Sequence, residues 1–342
     1  MSSGTKRLRV SLFLRKPRAG EHYSIERLFD AVIAALPEDR YEVKRLVCPF
    51  QSQGLIRRSL NVLWAIFNQG DVNHVTGDVN YLGLLMHRSR TVLTIHDSAS
   101  MSRLSGLKRW VYSWIWLRLP IRRAAIVTVI SDSSLYEILE YTREGSSNFR
   151  VIPNCVTSGM VGSAKSFNSV RPRVLQIGTK ENKNLVRVID ALKGMPCQLA
   201  IVGRLSTEQK QVLKDSGLMY ENHTGLDMAA MAEQYRRADM VVFVSTYEGF
   251  GLPILEAQAV GRAVVTSARA PMNIVAGDGA ALVNPENVAE IREAIGKIIA
   301  DESYREELIA AGLENVKEYS PEKIATQYAA VYEELFRDGR SR

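Results

Sequence analysis

Short apolar runs bounded by polar residues alternate along this chain with longer stretches in which apolar positions recur at helical spacing. RLRVSLFL (7–14) predicts a first buried strand, followed by a loop, RKPRAGEHYS, and an amphipathic helix from about Ile25 to Leu36. YEVKRLVCP, DVNHVTG, RTVLTIHD and AAIVTVIS predict further strands, with helical patterns between several of them. A second series opens with RPRVLQIGTKENKNLVRVIDAL (171–192), read as strand, turn and a helix from about Asn184. It continues through QLAIVGR (198–204), DMVVFVS, RAVVTSA and AALVN. Val-rich runs of this length belong to strands covered on both faces of a parallel sheet, and their alternation with helices predicts an α/β, doubly wound fold. Ligands then bind beyond the carboxyl ends of the strands. TSGMVGSAKSFNS (157–169) is small, polar and aperiodic and reads as a linker between two domains, for which 342 residues suffice. Ser320, Pro321 and Glu322 start a last helix, running to about Phe336.

The candidate chemistry gathers in DMVVFVSTYEGFGLPILEAQAVG, from Asp239 to Gly261. It reads as strand, glycine loop and helix, with Pro253 in the first helical turn and Gly261 as the stop. Such a junction aims free N–H groups and the positive end of a helix dipole at one point, which suits a phosphate or diphosphate. Gly249 and Gly251 let the backbone come close to a ligand. Glu248 and Glu256 frame the loop; carboxylates do not neutralise phosphate, so hydroxyls are their natural partners. An ordinary βα turn with two solvated glutamates has the same bare spacing. VLQIGT runs into a loop with Lys180 and Lys183 just before a helix, a sensible place for cations that meet a diphosphate. QLAIVGR ends in Gly203 and Arg204 nearby. His96 and Asp97 close the strand TVLTIHDS, where the imidazole can exchange hydrogen bonds with a hydroxyl or phosphate, or the pair can cap the strand end.

E-G-F-G-L-P-I-L-E, with seven residues between Glu248 and Glu256, resembles the E-x7-E signature of the retaining nucleotide-sugar glycosyltransferases of family GT4. The HD at 96–97 resembles the pair at the end of an N-domain strand in that family, and ISDSSLYEILEY its S-x-x-S junction. VIPNCV resembles its V-I-x-N-G-V, with Cys155 in place of glycine. The segment from Gly178 to Lys183 resembles its G-x-x-x-x-x-K motif but is one residue shorter, and Thr179 stands where the family has arginine, so Lys180 or Arg204 is the candidate second cation.

The resemblance implies the GT-B fold: two Rossmann-like doubly wound parallel-sheet domains facing each other across a cleft. It implies an acceptor-binding domain over 1–160, a donor-binding domain over 161–320, and a helix over 321–342 crossing back to the first domain. Its catalytic residues are implied to be Glu248, which holds a hydroxyl of the transferred sugar, Lys183, which offsets charge on the leaving diphosphate, and His96, which faces the sugars. Glu256 is implied to accept from ribose hydroxyls, with Gly249, Phe250, Gly251, Leu252, Gly178, Thr179, Arg204 and Gly20 lining the donor site. The implied reaction moves a hexose from a nucleoside diphosphate sugar to a saccharide or lipid-linked acceptor, in cell-surface polysaccharide or lipopolysaccharide synthesis. No metal or other cofactor is implied. Two rival readings are another GT-B enzyme, such as a nucleotide-sugar epimerase, and a non-enzymatic basic adaptor for membrane or nucleic acid. The donor loop counts against the adaptor, and aromatic and basic residues are not interleaved as a nucleic-acid platform requires.

Composition adds a compartment and a surface. Three cysteines, Cys48, Cys155 and Cys197, without C-x-x-C, predict a reducing, cytoplasmic setting and no disulfide or metal framework. The net charge is +7, and its cations crowd the first half: Arg57, Arg58, Arg88, Arg90, Arg103, Lys108, Arg109, Arg118, Arg122 and Arg123. In residues 103–123, Trp110, Trp114 and Leu117 recur at helical spacing among those cations. The pattern fits a helix on an anionic membrane surface, placing the protein peripherally on the inner face of the plasma membrane, and equally a core helix with cationic stems folded over its ends.

Overall fold

In the computed structural model the described residues are 7–17, 24–96, 105–142, 145–157, 159–162 and 164–340. The expectations attached to Gly20 and Asp97 lie outside them. The chain divides into two compact units, Met1–Cys155 with Pro321–Arg342, and Val156–Ser320. Each is built on a six-stranded sheet in which every pairing is parallel.

The first unit orders its strands β2-β1-β3-β4-β5-β6. They are β1 (Leu8–Leu14), β2 (Tyr41–Val47), β3 (Val72–Val75), β4 (Thr91–Ile95), β5 (Ile126–Val129) and β6 (Phe149–Val151). β3, β4 and β5 are buried along their whole length, as runs covered on both faces must be. On one face the helix Ser24–Ala35 contributes Leu28, Phe29 and Val32 to a cluster that also takes Ile324, Tyr328, Tyr332 and Leu335 from the C-terminal helix Pro321–Arg340. That helix is also tied by ion pairs, Arg40 with Glu333 and Arg150 with Glu334.

The other face carries Leu117 and Ile121 of a helix that changes form along its length. Gly106–Tyr112 is α-helical, Ser113–Arg118 is a π-turn and Leu119–Arg123 is α-helical again. Pro120, just past the turn, has no N–H for the Trp116 carbonyl four residues earlier, and Asn80 Nδ2 donates to that carbonyl at 3.0 Å. Along this helix Leu117 is buried while Trp110 is exposed.

The second unit has the order β12-β11-β10-β7-β8-β9. Its strands are β7 (Arg173–Ile177), β8 (Gln198–Val202), β9 (Met219–His223), β10 (Met240–Phe243), β11 (Ala263–Ser267) and β12 (Ala281–Val283). The chain winds outward from β7 to β9, then returns to lay β10 against the other side of β7. The crevice between the loops leaving β7 and β10 is therefore the topological switch point, where open α/β sheets bind ligands. Residues 157–169 are not a free linker. Asp239, almost fully buried, accepts from the backbone N–H of Asn168 at 3.1 Å and of Arg173 at 2.7 Å and pairs with the Lys165 ammonium, while Phe167 packs on the unit's core. A buried carboxylate that satisfies two N–H groups and an ammonium holds this polar stretch to the second unit.

Candidate active site

At the end of β7 the chain turns through Gly178 (φ +87), and a Cβ built there would lie 2.8 Å from Lys183 Cγ. The bare Cα is the surface over which the lysine stem passes. Glu181–Lys183 forms a 3₁₀ turn, Asn184 is left-handed (φ 60, ψ 28), and the helix Leu185–Leu192 follows. Asn184 earns that conformation through its side chain: Nδ2 donates to Val244 O at 3.0 Å and to Pro285 O at 2.6 Å, which joins the turn to the chain beyond β10 and β12. Gln176 Nε2 fastens the same turn by donating to Lys183 O at 2.9 Å.

From β10 the chain approaches this turn and is bonded to it. Thr246 N donates to Asn182 O at 2.9 Å, and Asn182 Nδ2 donates to Tyr247 O at 2.9 Å. Glu248 is thereby brought to Lys183: Nζ donates to Oε1 at 2.6 Å, and Nζ also lies 4.7 Å from the Phe243 ring centroid. Both side chains are largely screened from water, so the charge-assisted bond fixes a cation and a carboxylate side by side at the switch point. Gly251 (φ +112) caps the helix Leu252–Ala259, with Pro253 in the first turn and Phe250 buried. The strand, glycine turn and helix expected from 239–261 are thus present, with the helix N-terminus beside the ion pair's loop.

One turn into that helix, Glu256 is held from two directions. Thr157 Oγ1 donates to Oε1 at 2.9 Å and Tyr235 OH donates to Oε2 at 2.6 Å. Tyr235 is fully buried, and burial followed by the Glu256 charge pushes its phenol well above the usual value. Neither Thr157 nor Tyr235 stood out in the sequence, and Tyr235 is also part of the core. Thr179 is occupied as a brace, with Oγ1 donating to Arg204 O at 2.6 Å and its methyl filling the space that a Gly203 side chain would need. Its carbonyl accepts from Gln209 Nε2 at 2.7 Å. Lys180 and Arg204 are exposed beside it.

In the first unit, His96 follows β4 and is half-buried, with Nε2 3.0 Å from Thr76 Oγ1. Burial, and then the charge of Arg15, lowers its pKa to about 4, so the imidazole is neutral at pH 7. Arg15, just after β1, pairs with Glu26 at 3.0 Å and Asp78 at 3.2 Å. This cluster stands at the carboxyl ends of β1, β3 and β4, the first sheet's own switch point, and only its histidine was singled out in the sequence. Below it, fully buried His74 bridges Tyr332 OH at 2.8 Å and Thr94 Oγ1 at 2.6 Å, and Thr94 reaches Thr128 at 2.6 Å. Ser131 performs the capping role, its Oγ accepting from Ser134 N at 3.1 Å.

Comparison with known proteins places this geometry. The sequence profile of the glycosyl transferases group 1 family matches residues 164–315. A phosphatidyl-myo-inositol mannosyltransferase of Mycobacterium leprae (strain TN) is 31% identical over 297 residues, which span 81% of this chain and 76% of that protein. An O-antigen chain mannosyltransferase B of Escherichia coli is 40% identical over 101 residues, 30% of this chain and 26% of its own length. The chain thus spans about a quarter of that longer relative. Among solved structures, Anabaena HepE in complex with UDP and glucose superposes with a TM-score of 0.76 at 16% identity, covering 96% of this chain and all of the other. At that identity the likeness is one of fold.

Proposed function

The chain belongs to the glycosyl transferases group 1 family and has its GT-B fold, and on that footing we propose that it is a retaining glycosyltransferase that moves a hexose from a nucleoside diphosphate sugar to a saccharide or lipid-linked acceptor. The observation that carries the reading is the Lys183–Glu248 pair at the β7/β10 switch point, beside the N-terminus of the helix Leu252–Ala259. Lys183 meets the diphosphate and offsets the charge that grows on it as the glycosidic bond breaks. Glu248 holds the ammonium in place and accepts from a sugar hydroxyl with its remaining lone pairs. The N–H groups at the start of the helix Leu252–Ala259 and the helix dipole take the rest of the charge, a preorganised field that needs no rearrangement during the reaction. Glu256 receives the ribose hydroxyls. His96, neutral at pH 7, is suited to a hydrogen bond with a sugar hydroxyl rather than to an ion pair. Because the Escherichia coli and Mycobacterium leprae relatives described above are mannosyltransferases, mannose is the first donor sugar to test, and cell-surface polysaccharide or glycolipid synthesis is the setting. The mechanism as proposed calls on no metal.

The test is turnover of a panel of mannose and glucose nucleotide sugars by the wild type, Glu248→Ala, Glu256→Ala and Lys183→Ala. Loss of Glu248 or Lys183 should lower kcat/KM by about 10²–10³-fold, the scale of removing one preorganised transition-state contact. Equal turnover in all four proteins would overturn the proposal.

A further inference from the structure

The helix Leu55–Ile66 packs Val62, Trp64 and Ala65 on the first unit's core and still leaves another apolar stripe in water. Ile56, Leu60, Leu63 and, just past the helix, Phe67 recur at helical spacing along one stripe, and that stripe is the solvent face. Ile56 is 79% exposed, Leu60 42%, Leu63 50% and Phe67 86%. The opposite face carries Asn61 and Ala65, both 0% exposed. Asn61 fastens the helix inward, accepting from Phe50 N at 3.1 Å and donating to Phe50 O at 2.9 Å and Tyr81 OH at 3.1 Å. An ordinary surface helix turns its polar stripe outward, because every large apolar side chain left in water forgoes the gain of burial.

A second exposed apolar stripe, Leu107, Trp110 and Val111, runs along the helix that starts at Gly106. The Arg58 guanidinium, 4.4 Å from the Trp116 ring centroid, joins the two helices. Neither helix contains an acid, and the sequence from Arg57 to Arg123 holds ten Lys and Arg residues against three acids, Asp71, Asp78 and Asp97. Arg57, Lys108, Arg109 and Arg122 are exposed.

We infer that this double stripe docks the first unit on an anionic lipid surface, with the helix Leu55–Ile66 as its principal element. The apolar side chains enter the headgroup boundary, Trp110 sits at interfacial depth, and the exposed cations meet lipid phosphates. Pairing with a second copy of the chain is disfavoured by the same charges, since a two-fold contact would set cation against cation with no acid between them. No helix among the described residues is long and apolar enough to cross a membrane, so the helices lie in the interface plane. The inference does not depend on the donor chemistry, which belongs to the other unit.

Co-sedimentation of the whole protein with vesicles tests it. The wild type should pellet with phosphatidylcholine–phosphatidylglycerol vesicles, far less with phosphatidylcholine alone, and be released by high salt. Ile56→Ser/Leu63→Ser/Phe67→Ser, which alters only exposed side chains, should weaken binding about a hundredfold, since several inserted apolar groups act together. Arg57→Glu/Lys108→Glu provides a second, charge-reversed variant and should also stay in the supernatant. Wild-type pelleting by both variants, or equal pelleting on neutral vesicles, overturns the inference. So does a failure to pellet accompanied by a dimer, seen in sedimentation velocity, that the triple variant splits. Nucleotide-sugar hydrolysis without vesicles reads the donor site separately: its absence from the wild type counts against the proposed activity and leaves the vesicle result intact.

Discussion

Lys183 reaches Glu248 because position 178 has no side chain, and Glu256 faces the same loop because a tyrosine one helix away is long enough to hold it. In the Tyr235→Phe variant the ring still fills the core while Glu256 loses the Tyr235 hydroxyl. The expected result is a donor KM raised about three- to tenfold with kcat little changed, in keeping with one charged hydrogen bond acting on binding alone. Steady-state kinetics with varied donor, alongside nucleotide titration, checks it; a fall in kcat with unchanged KM would refute the positioning role. The buried histidines make a second prediction. Burial lowers His74 to about 3 and His96 to about 4, below the value of about 6.5 for a free imidazole. Between those values the unfolded chain binds protons that the folded unit refuses, so the contribution is complete above about pH 6.5 and is lost as pH falls toward 4. Thermal melts across that range should show the first unit weakening with acid, and His96→Asn should remove roughly one proton from the slope.

At the level of elements, the π-turn Ser113–Arg118 draws a donor for its Trp116 carbonyl from a distant residue, Asn80. Asn80→Ala leaves the Trp116 carbonyl without its donor and should cost about 1–3 kcal/mol in urea unfolding. Adding Pro120→Ala restores an N–H to the turn and should recover part of the loss, whereas additive losses would show that the carbonyl was never the issue. Most strands were legible because Val-rich runs covered on both faces carry their own signal: β3, β4, β5 and β10 coincide with DVNHVTG, RTVLTIHD, AAIVTVIS and DMVVFVS. β9, MYENH, was not, because it is a polar, partly exposed edge strand that only its pairing with β8 identifies. The stretch 157–169 read as a linker for a similar reason. Its composition is that of a linker, and its attachment rests on Asp239, more than sixty residues away in the chain.

At the scale of the molecule, the C-terminal helix belongs to the first unit's core. Ending the chain after Ser320 removes Ile324, Tyr328, Val331, Tyr332 and Leu335, whose burial is worth on the order of 10 kcal/mol, comparable to the whole stability of a domain. Calorimetry should then show the first unit's transition gone and the second unit still melting cooperatively; two intact transitions would contradict the assignment. The sequence by itself determined the alternating α/β plan, the strand, glycine turn and helix over 239–261, and Lys183, Glu248 and Glu256 as candidates, because periodicity, glycine and charge act over a few residues and leave a local mark. Tertiary structure alone decided what those candidates touch. Thr179 braces the Arg204 carbonyl, Tyr235 and Thr157 hold Glu256, Asn61 fastens its helix inward, and His74 joins three strands to the last helix. Such roles depend on which distant segments the parallel sheets bring within hydrogen-bond reach, and spacing along the chain does not carry that information.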